Sequence, residues 1–96
     1  MPSKNFDSTL KTLDGQDALD NGNPVILRNL VTSALLNGAD EKTPPGEKVE
    51  RYSLAVKLNE GGDQSLTPEQ IVLIKGAVGK LYTPIVVGQL FELLDE

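Results

Sequence analysis

The residue types that most often perform catalysis or bind transition metals are missing from this chain. It contains no histidine and no cysteine, so neither a Ser-His-Asp nor a Cys-His nucleophile system can be built. The same absence excludes a structural zinc site, whose usual ligands are thiolates and imidazoles. Acid–base catalysis would have to come from carboxylates, and none of the 14 acidic residues lies within an apolar run that would bury it. We therefore expect no catalytic residues, no cofactor and no enzyme activity.

One loop is rich in the oxygen ligands that calcium accepts. The ligands are Asp14, Asp17, Asp20, Asn21 and Asn23. Their order does not follow the regular ligand pattern of an EF-hand loop, and Asx-rich turns in solvent have the same composition. We expect turns here and no metal site.

A second motif, the GxxG formed by Gly76 and Gly79, is flanked by Lys75 and Lys80. KH domains hold a nucleic-acid backbone with a GxxG loop. Neither residue inside this GxxG is basic, and the net charge of −5 disfavours phosphate binding. A continuous helix, whose glycines allow close packing, is the favoured interpretation. Lys75 and Lys80 remain the contacts expected under a nucleic-acid-binding alternative.

The stretch from Leu66 to Leu94 predicts two consecutive helices. Thr67 is a candidate N-cap, Pro68 occupies the first helical position, and Gln70 completes a capping box. The first of these helices should run from about Pro68 to Leu81 and the second from Pro84 to Asp95. The predicted core stripe of the first comprises Ile71, Ile74, Ala77, Val78 and Leu81.

The opposite face of that helix carries Val72, Gly76 and Gly79. Each glycine inside a helix costs about 0.5–1 kcal/mol relative to alanine, which suggests that something packs closely against this backbone. Ile85 lies on the polar side of the next helix, and Leu36 is a further apolar outlier. We take Val72, Gly76, Gly79 and Ile85 as a candidate interaction face, with self-association through the glycine-bearing helix as the first hypothesis.

Two earlier helices are predicted, from about Arg28 to Asn37 and from about Pro45 to Asn59. The apolar residues of the second sweep more than half of its circumference, so we expect it to be packed on more than one side. Glu47 and Arg51 should form an exposed ion pair. The tyrosines, Tyr52 and Tyr82, are expected to be half-buried in the core.

The N-terminal segment alternates apolar and polar residues from Phe6 to Thr12 and predicts a strand that ends at the tight-turn pair Asp14-Gly15. A wide turn or loop follows. Val25 to Leu27 then either returns as a partner strand or belongs to a helix that starts at Pro24 with Asn23 as N-cap. The strand is preferred because Val25 and Ile26 are β-branched.

Together these elements predict a single α+β domain over residues 1–96, with a short N-terminal β-hairpin region at 1–27 and about four α-helices at 28–96. A nearly all-α helical bundle is the alternative. The longest unbroken aliphatic run is far shorter than the ~20 residues that span a bilayer. We expect a cytoplasmic protein that does not contact a membrane.

Four segments, NFDSTLKTLDG, LVTSALLNG, EKVERYSLAVKL and LTPEQIVLIKGAVGKLYTPIVVGQLFELL, resemble in that order a group of small proteins encoded by tailed bacteriophages and prophages. The resemblance spans nearly the whole chain and includes no diagnostic motif. It implies a phage gene product that acts in the cytoplasm of the bacterial host or during particle assembly. It implies no catalytic or ligand-binding residues.

The expected function is a non-enzymatic protein–protein interaction module, such as an assembly chaperone, an adaptor or a modulator of a host protein. The partner would be a phage or host protein, or a second copy in a homo-oligomer. Two alternatives stay open. One is a nucleic-acid-associated factor that uses Lys75 and Lys80, and the other is an acidic inhibitor of a host nucleic-acid-binding enzyme.

Overall fold

The computed structural model describes residues 3–38 and 41–95. The elements of these residues, in chain order, are β1 (Ser3–Asn5), β2 (Leu19–Asp20), β3 (Asn23–Pro24), α1 (Leu27–Asn37), α2 (Pro45–Asn59), β4 (Asp63–Ser65), α3 (Pro68–Leu81) and α4 (Pro84–Asp95). The architecture is α+β, as predicted, with a small antiparallel β region at the N-terminal end and four helices in the described residues.

The ends of α2, α3 and α4 follow from local signals and agree with the prediction. At the start of α3, the Gln70 backbone N–H donates to Thr67 Oγ1 at 3.1 Å, and the Thr67 N–H donates to Gln70 Oε1 at 2.9 Å. This reciprocal pair is the predicted capping box. Beyond the end of α2, Gly61 has a φ of 79°, a left-handed conformation that glycine adopts readily.

Helix α1 starts after Pro24, the first helical residue under one alternative, and before Arg28, the start predicted under the other. Its first residue is Leu27, and its N-cap is Ile26, whose side chain makes no capping hydrogen bond. Pro24 lies in β3 instead of opening the helix. The proposed helix start at Pro24 is therefore wrong, and Leu27 is not a strand residue.

The predicted pairing of the N-terminal segment with the segment before α1 exists, but in an irregular form. The Leu10 N–H donates to the Val25 carbonyl at 2.7 Å and the Leu27 N–H donates to the Ser8 carbonyl at 2.9 Å, although Thr9 and Ile26 form only an isolated bridge. The expected long strand over Phe6 to Thr12 is absent from the described residues.

The predicted wide turn contains a hairpin of its own. Strands β2 and β3 pair antiparallel, and Asn21 and Gly22 between them have φ values of 52° and 83°, as the residues of a type I′ turn require. The earlier Asp14-Gly15 turn is confirmed, because Gly15 has a φ of 87° and its N–H donates to the Thr12 carbonyl at 3.0 Å.

Strand β1 pairs with a distant segment that the sequence did not predict as a strand. It runs antiparallel to β4, with Ser3 opposite Ser65. Next to this ladder, Asp7 accepts hydrogen bonds from Arg28 Nη1 at 2.6 Å and from the Gly62 N–H at 2.8 Å. These contacts join the N-terminal segment both to α1 and to the chain that leaves α2.

Helix α1 occupies the centre of the helical part: it contacts both α2 and α3, and α4 packs against α3. The buried apolar side chains form one cluster, and the largest fully buried members are Leu35, Leu58, Leu66, Ile74, Leu90, Val31 and Val78. Leu81, predicted as a core residue, is 45% exposed, because it lies in the last turn of α3, at the edge of this cluster.

Helix α2 is buried on one side only, so the prediction that it is packed on more than one side is wrong. Its buried residues are Arg51, Leu54, Ala55 and Leu58. Within the described residues, no helix is both long and apolar enough to cross a membrane.

Candidate interaction surface

A row of apolar side chains lies on the outward side of α2. Val49, Tyr52 and Val56 are 64%, 62% and 49% exposed. They are spaced three and then four residues apart, which places them on one face of the helix, opposite the buried Leu54 and Leu58. We call Val49, Tyr52 and Val56 the α2 stripe. The prediction that Tyr52 is half-buried in the core is therefore wrong.

Leu36 extends the α2 stripe onto α1. It is 55% exposed and lines a shallow depression of 370 Å³ together with Leu35, Lys48, Arg51 and Tyr52. The exposed apolar surface therefore runs from the last turns of α1 across the middle of α2.

Arg51 lies on the wall of this depression and is buried, whereas the sequence predicts that its ion pair with Glu47 is exposed. Only 9% of the residue is exposed, and its Nε lies 3.4 Å from Glu47 Oε2. Among the residues that the structure describes, its Nε and Nη1 have no hydrogen-bond acceptor. A Cβ on Gly38, which ends α1, would lie 3.4 Å from Nη1. The guanidinium therefore lies beside the carbonyl end of α1, where the helix dipole favours a cation.

A groove of 480 Å³ runs between α2 and the start of α3. Val49 and Leu54 line its α2 side and Leu73 its α3 side. Leu54 is buried, Leu73 is half-buried and Val49 is exposed, so the apolar lining extends from the floor of the groove to its rim. Because Val49 also belongs to the α2 stripe, the groove and the stripe form one continuous surface.

The face of α3 predicted to mediate interaction points outward. Val72 is 68% exposed, and Gly76 and Gly79 are exposed. Apart from the neighbouring helix backbone, a Cβ at either glycine would meet no atom of the described residues within 4 Å. The expected close packing against this backbone is therefore not made by another helix of the described chain. Ile85, at the start of α4, is 38% exposed.

The GxxG segment is helical throughout, since α3 continues without a break from Pro68 to Leu81. This confirms the continuous helix favoured from the sequence and leaves no GxxG loop, although no close packing is seen at Gly76 and Gly79 within the described residues. Lys75 forms an ion pair with Asp95, and its Nζ lies 5.2 Å from the centroid of the Phe91 ring. Lys75 therefore links α3 to α4. Lys80 lies in the last turn of α3, where its charge complements the helix dipole.

Two carboxylates of the Asx-rich loop, those of Asp14 and Asp17, accept local hydrogen bonds. The Thr12 hydroxyl donates to Asp14 and lowers the pKa of that carboxyl. Hydrogen bonds from Lys11 and Thr9 lower the pKa of Asp17, and the charge of Lys11 adds to this effect. In the part of the chain that the structure describes, no group of acidic residues could hold a metal ion.

Tyr82 is the tyrosine that matches its prediction. It is half-buried against the core, and its hydroxyl donates to the Leu30 carbonyl. This bond ties the end of α3 to α1.

Comparisons of the chain with models of protein families, with curated proteins and with solved structures find no match.

The sequence contains a signal for the α2 stripe, namely the broad apolar sweep of α2, but this signal has two interpretations. Apolar residues that cover more than half of the circumference of a helix indicate one of two arrangements. Either the helix is buried on two sides, or it is buried on one side and exposes an apolar face on another. Periodicity does not distinguish these cases, because it says which residues share a face and not what covers that face.

Proposed function

We propose that the protein is a non-enzymatic protein–protein interaction module. The observation that carries this proposal is the α2 stripe. Single exposed apolar residues are normal on any protein surface, whereas a clustered patch marks an interaction site. Three apolar side chains in one row on a helix, joined by Leu36, form such a patch. A row at this spacing is the pattern with which helices bind partner helices or grooves.

The setting we propose is a bacteriophage one. The resemblance of the chain to small proteins of tailed phages and prophages supports a role in the cytoplasm of the bacterial host, as an assembly chaperone, an adaptor or a modulator of a host protein. The net charge of −5 and the use of Lys75 within the fold favour a protein partner over a nucleic acid.

A tagged pull-down from bacterial cells, with and without nuclease, tests this function. The variant V49S/Y52S shortens two side chains of the α2 stripe to polar ones. The matched control is L13S, because Leu13 is 97% exposed but lies in the Asp14-Gly15 turn, away from α2. We expect the unmodified chain and L13S to recover the same protein after nuclease treatment, and V49S/Y52S to lose it.

The identity of the recovered protein separates the roles. Phage structural proteins support assembly, and one host enzyme supports modulation. If that host enzyme binds nucleic acid and nucleic acid competes with this protein for it, the acidic-inhibitor role is indicated. Loss of every partner after nuclease would contradict the proposal and favour the nucleic-acid alternative.

A further inference from the structure

The groove between α2 and α3 combines an apolar floor with an uneven distribution of charge. Leu54 and Leu73 form its apolar lining, and Val49 of the α2 stripe stands at its rim. Glu50 stands on the α2 wall and Glu69 on the α3 wall, and both are exposed. A carboxylate therefore stands on each side of an apolar depression.

Lys57, Thr67 and Gln70, three of the other polar residues that line the groove, are engaged within the chain. The Lys57 ammonium donates to the Ser65 carbonyl, and the side chains of Thr67 and Gln70 form the capping box. By contrast, Glu50 and Glu69 make no hydrogen bond or ion pair with any residue that the structure describes. Glu69 also lies in the first turn of α3, where the helix dipole stabilises the ionised form.

We propose that this groove binds an apolar, basic helical segment of the partner protein. An apolar side chain of the segment would lie against Leu54 and Leu73, and lysine or arginine side chains would reach Glu50 and Glu69. A helix suits the site, because the α2 stripe continues the apolar surface beside the groove and offers contacts at helical spacing. This inference depends on the proposed function and adds the chemistry of the partner.

The size of the groove agrees with such a ligand. Its α2 wall extends from Val49 to Lys57, which is about 12 Å, or two helical turns. A volume of 480 Å³ lies within the roughly 300–1,000 Å³ range of sites that enclose small ligands. The groove therefore receives side chains from one face of a helix, while the rest of that helix stays outside.

The test uses two synthetic amphipathic peptides with leucines at the same positions. One carries lysine at its polar positions and the other carries glutamate. Binding is measured by fluorescence anisotropy at low and high salt, and the site is mapped from amide chemical shifts. We expect the lysine peptide to bind, to shift the signals of Val49, Leu54 and Leu73, and to bind more weakly at high salt.

The variant E50Q/E69Q removes both charges and keeps the shapes of the side chains. Exposed ion pairs contribute modestly, so we expect the affinity for the lysine peptide to fall about three- to tenfold. A control variant, E92Q, removes one exposed carboxylate from α4 and should leave the affinity unchanged. Equal binding of the glutamate peptide, no binding of the lysine peptide, or an equal loss in E92Q would each overturn the inference.

The pull-down separates this inference from the proposed function. If E50Q/E69Q still recovers the natural partner at the level of the unmodified chain, the groove inference fails while the interaction function stands. If the unmodified chain recovers no protein after nuclease, the proposed function fails as well.

Discussion

Substitution by alanine should destabilise the protein at Gly61 and stabilise it at Gly76 and Gly79. At Gly61 the φ of 79° is strained for any other residue, and a Cβ would lie 2.6 Å from Arg28 Nη1. We expect Gly61→Ala to lower the free energy of unfolding by about 1–2 kcal/mol. At Gly76 and Gly79 a Cβ meets nothing within 4 Å. There, alanine should raise that free energy by about 0.5–1 kcal/mol at each site.

Denaturant unfolding of the three single variants measures these changes. A loss of stability in Gly76→Ala would contradict the open space above α3 and indicate that something covers this face. The self-association hypothesis has its own variant, Gly76→Leu combined with Gly79→Leu. This variant should dissociate a dimer without unfolding the monomer, and a solution mass equal to that of the unmodified chain would contradict the hypothesis.

The carboxyl of Asp17 should titrate below the ordinary aspartate pKa of about 3.9. Lys11 and Thr9 both donate to Asp17 Oδ1, the latter at 2.8 Å, and these bonds favour the ionised form. Because the folded-state pKa is lowered, the contribution of Asp17 to stability is present above the unfolded-state pKa. That contribution is lost as the pH falls through the folded-state value.

A carbon NMR titration of the Asp17 carboxyl checks this expectation. The control variant is Lys11→Met, which removes the principal donor and should move the pKa of Asp17 back toward its ordinary value. An identical titration in the variant would show that Lys11 is not the cause of the lowered pKa.

At the scale of elements, the sequence predicted α2, α3 and α4 because their signals are local. Pro45, Pro68 and Pro84 mark the starts, and the side-chain cap of α3 involves residues within one turn. The β region was harder, because β1 pairs with β4 about sixty residues later. A strand of three polar residues, Ser3–Asn5, has no apolar alternation to reveal it.

The candidate surface was only partly predictable for a related reason. The sequence placed Val72, Gly76 and Gly79 on one helical face, and the structure leaves that face open. It also counted Val49, Tyr52 and Val56 within the broad apolar sweep of α2, from which packing on more than one side was expected. Whether an apolar face is covered depends on where the other helices lie, and here α1 covers only the opposite side of α2.

The capping box of α3 is the element-scale feature with the clearest energetic prediction. Thr67→Ala removes the acceptor for the Gln70 N–H and should lower the free energy of unfolding by about 1 kcal/mol. Thr67→Ser keeps the hydroxyl and is the control. Denaturant unfolding gives the energies, and amide exchange at Gln70 reports the loss of the cap. Equal stability of the two variants would show that the hydroxyl contributes nothing.

At the scale of the whole molecule, Gln89 connects the last helix to the N-terminal segment. The Lys11 N–H donates to Gln89 Oε1 at 2.9 Å, and Gln89 Nε2 donates to the Lys11 carbonyl at 2.7 Å. The side-chain amide thus pairs with a peptide unit as a neighbouring strand would. Leu10, directly before Lys11, is buried in the core cluster, so this connection holds the N-terminal segment against α4.

Gln89→Glu should open this connection, because a carboxylate cannot donate to the Lys11 carbonyl and would be repelled by the partial negative charge of that carbonyl oxygen. We expect the free energy of unfolding to fall by about 0.5–1.5 kcal/mol and the amides of Leu10 and Lys11 to exchange faster, with little change at α2. The control is Gln16→Glu, which adds the same charge in an exposed turn. If both variants lose the same stability, added negative charge is the cause. If only Gln89→Glu loses stability, the loss comes from the two hydrogen bonds of Gln89, and these bonds then attach the N-terminal segment to α4.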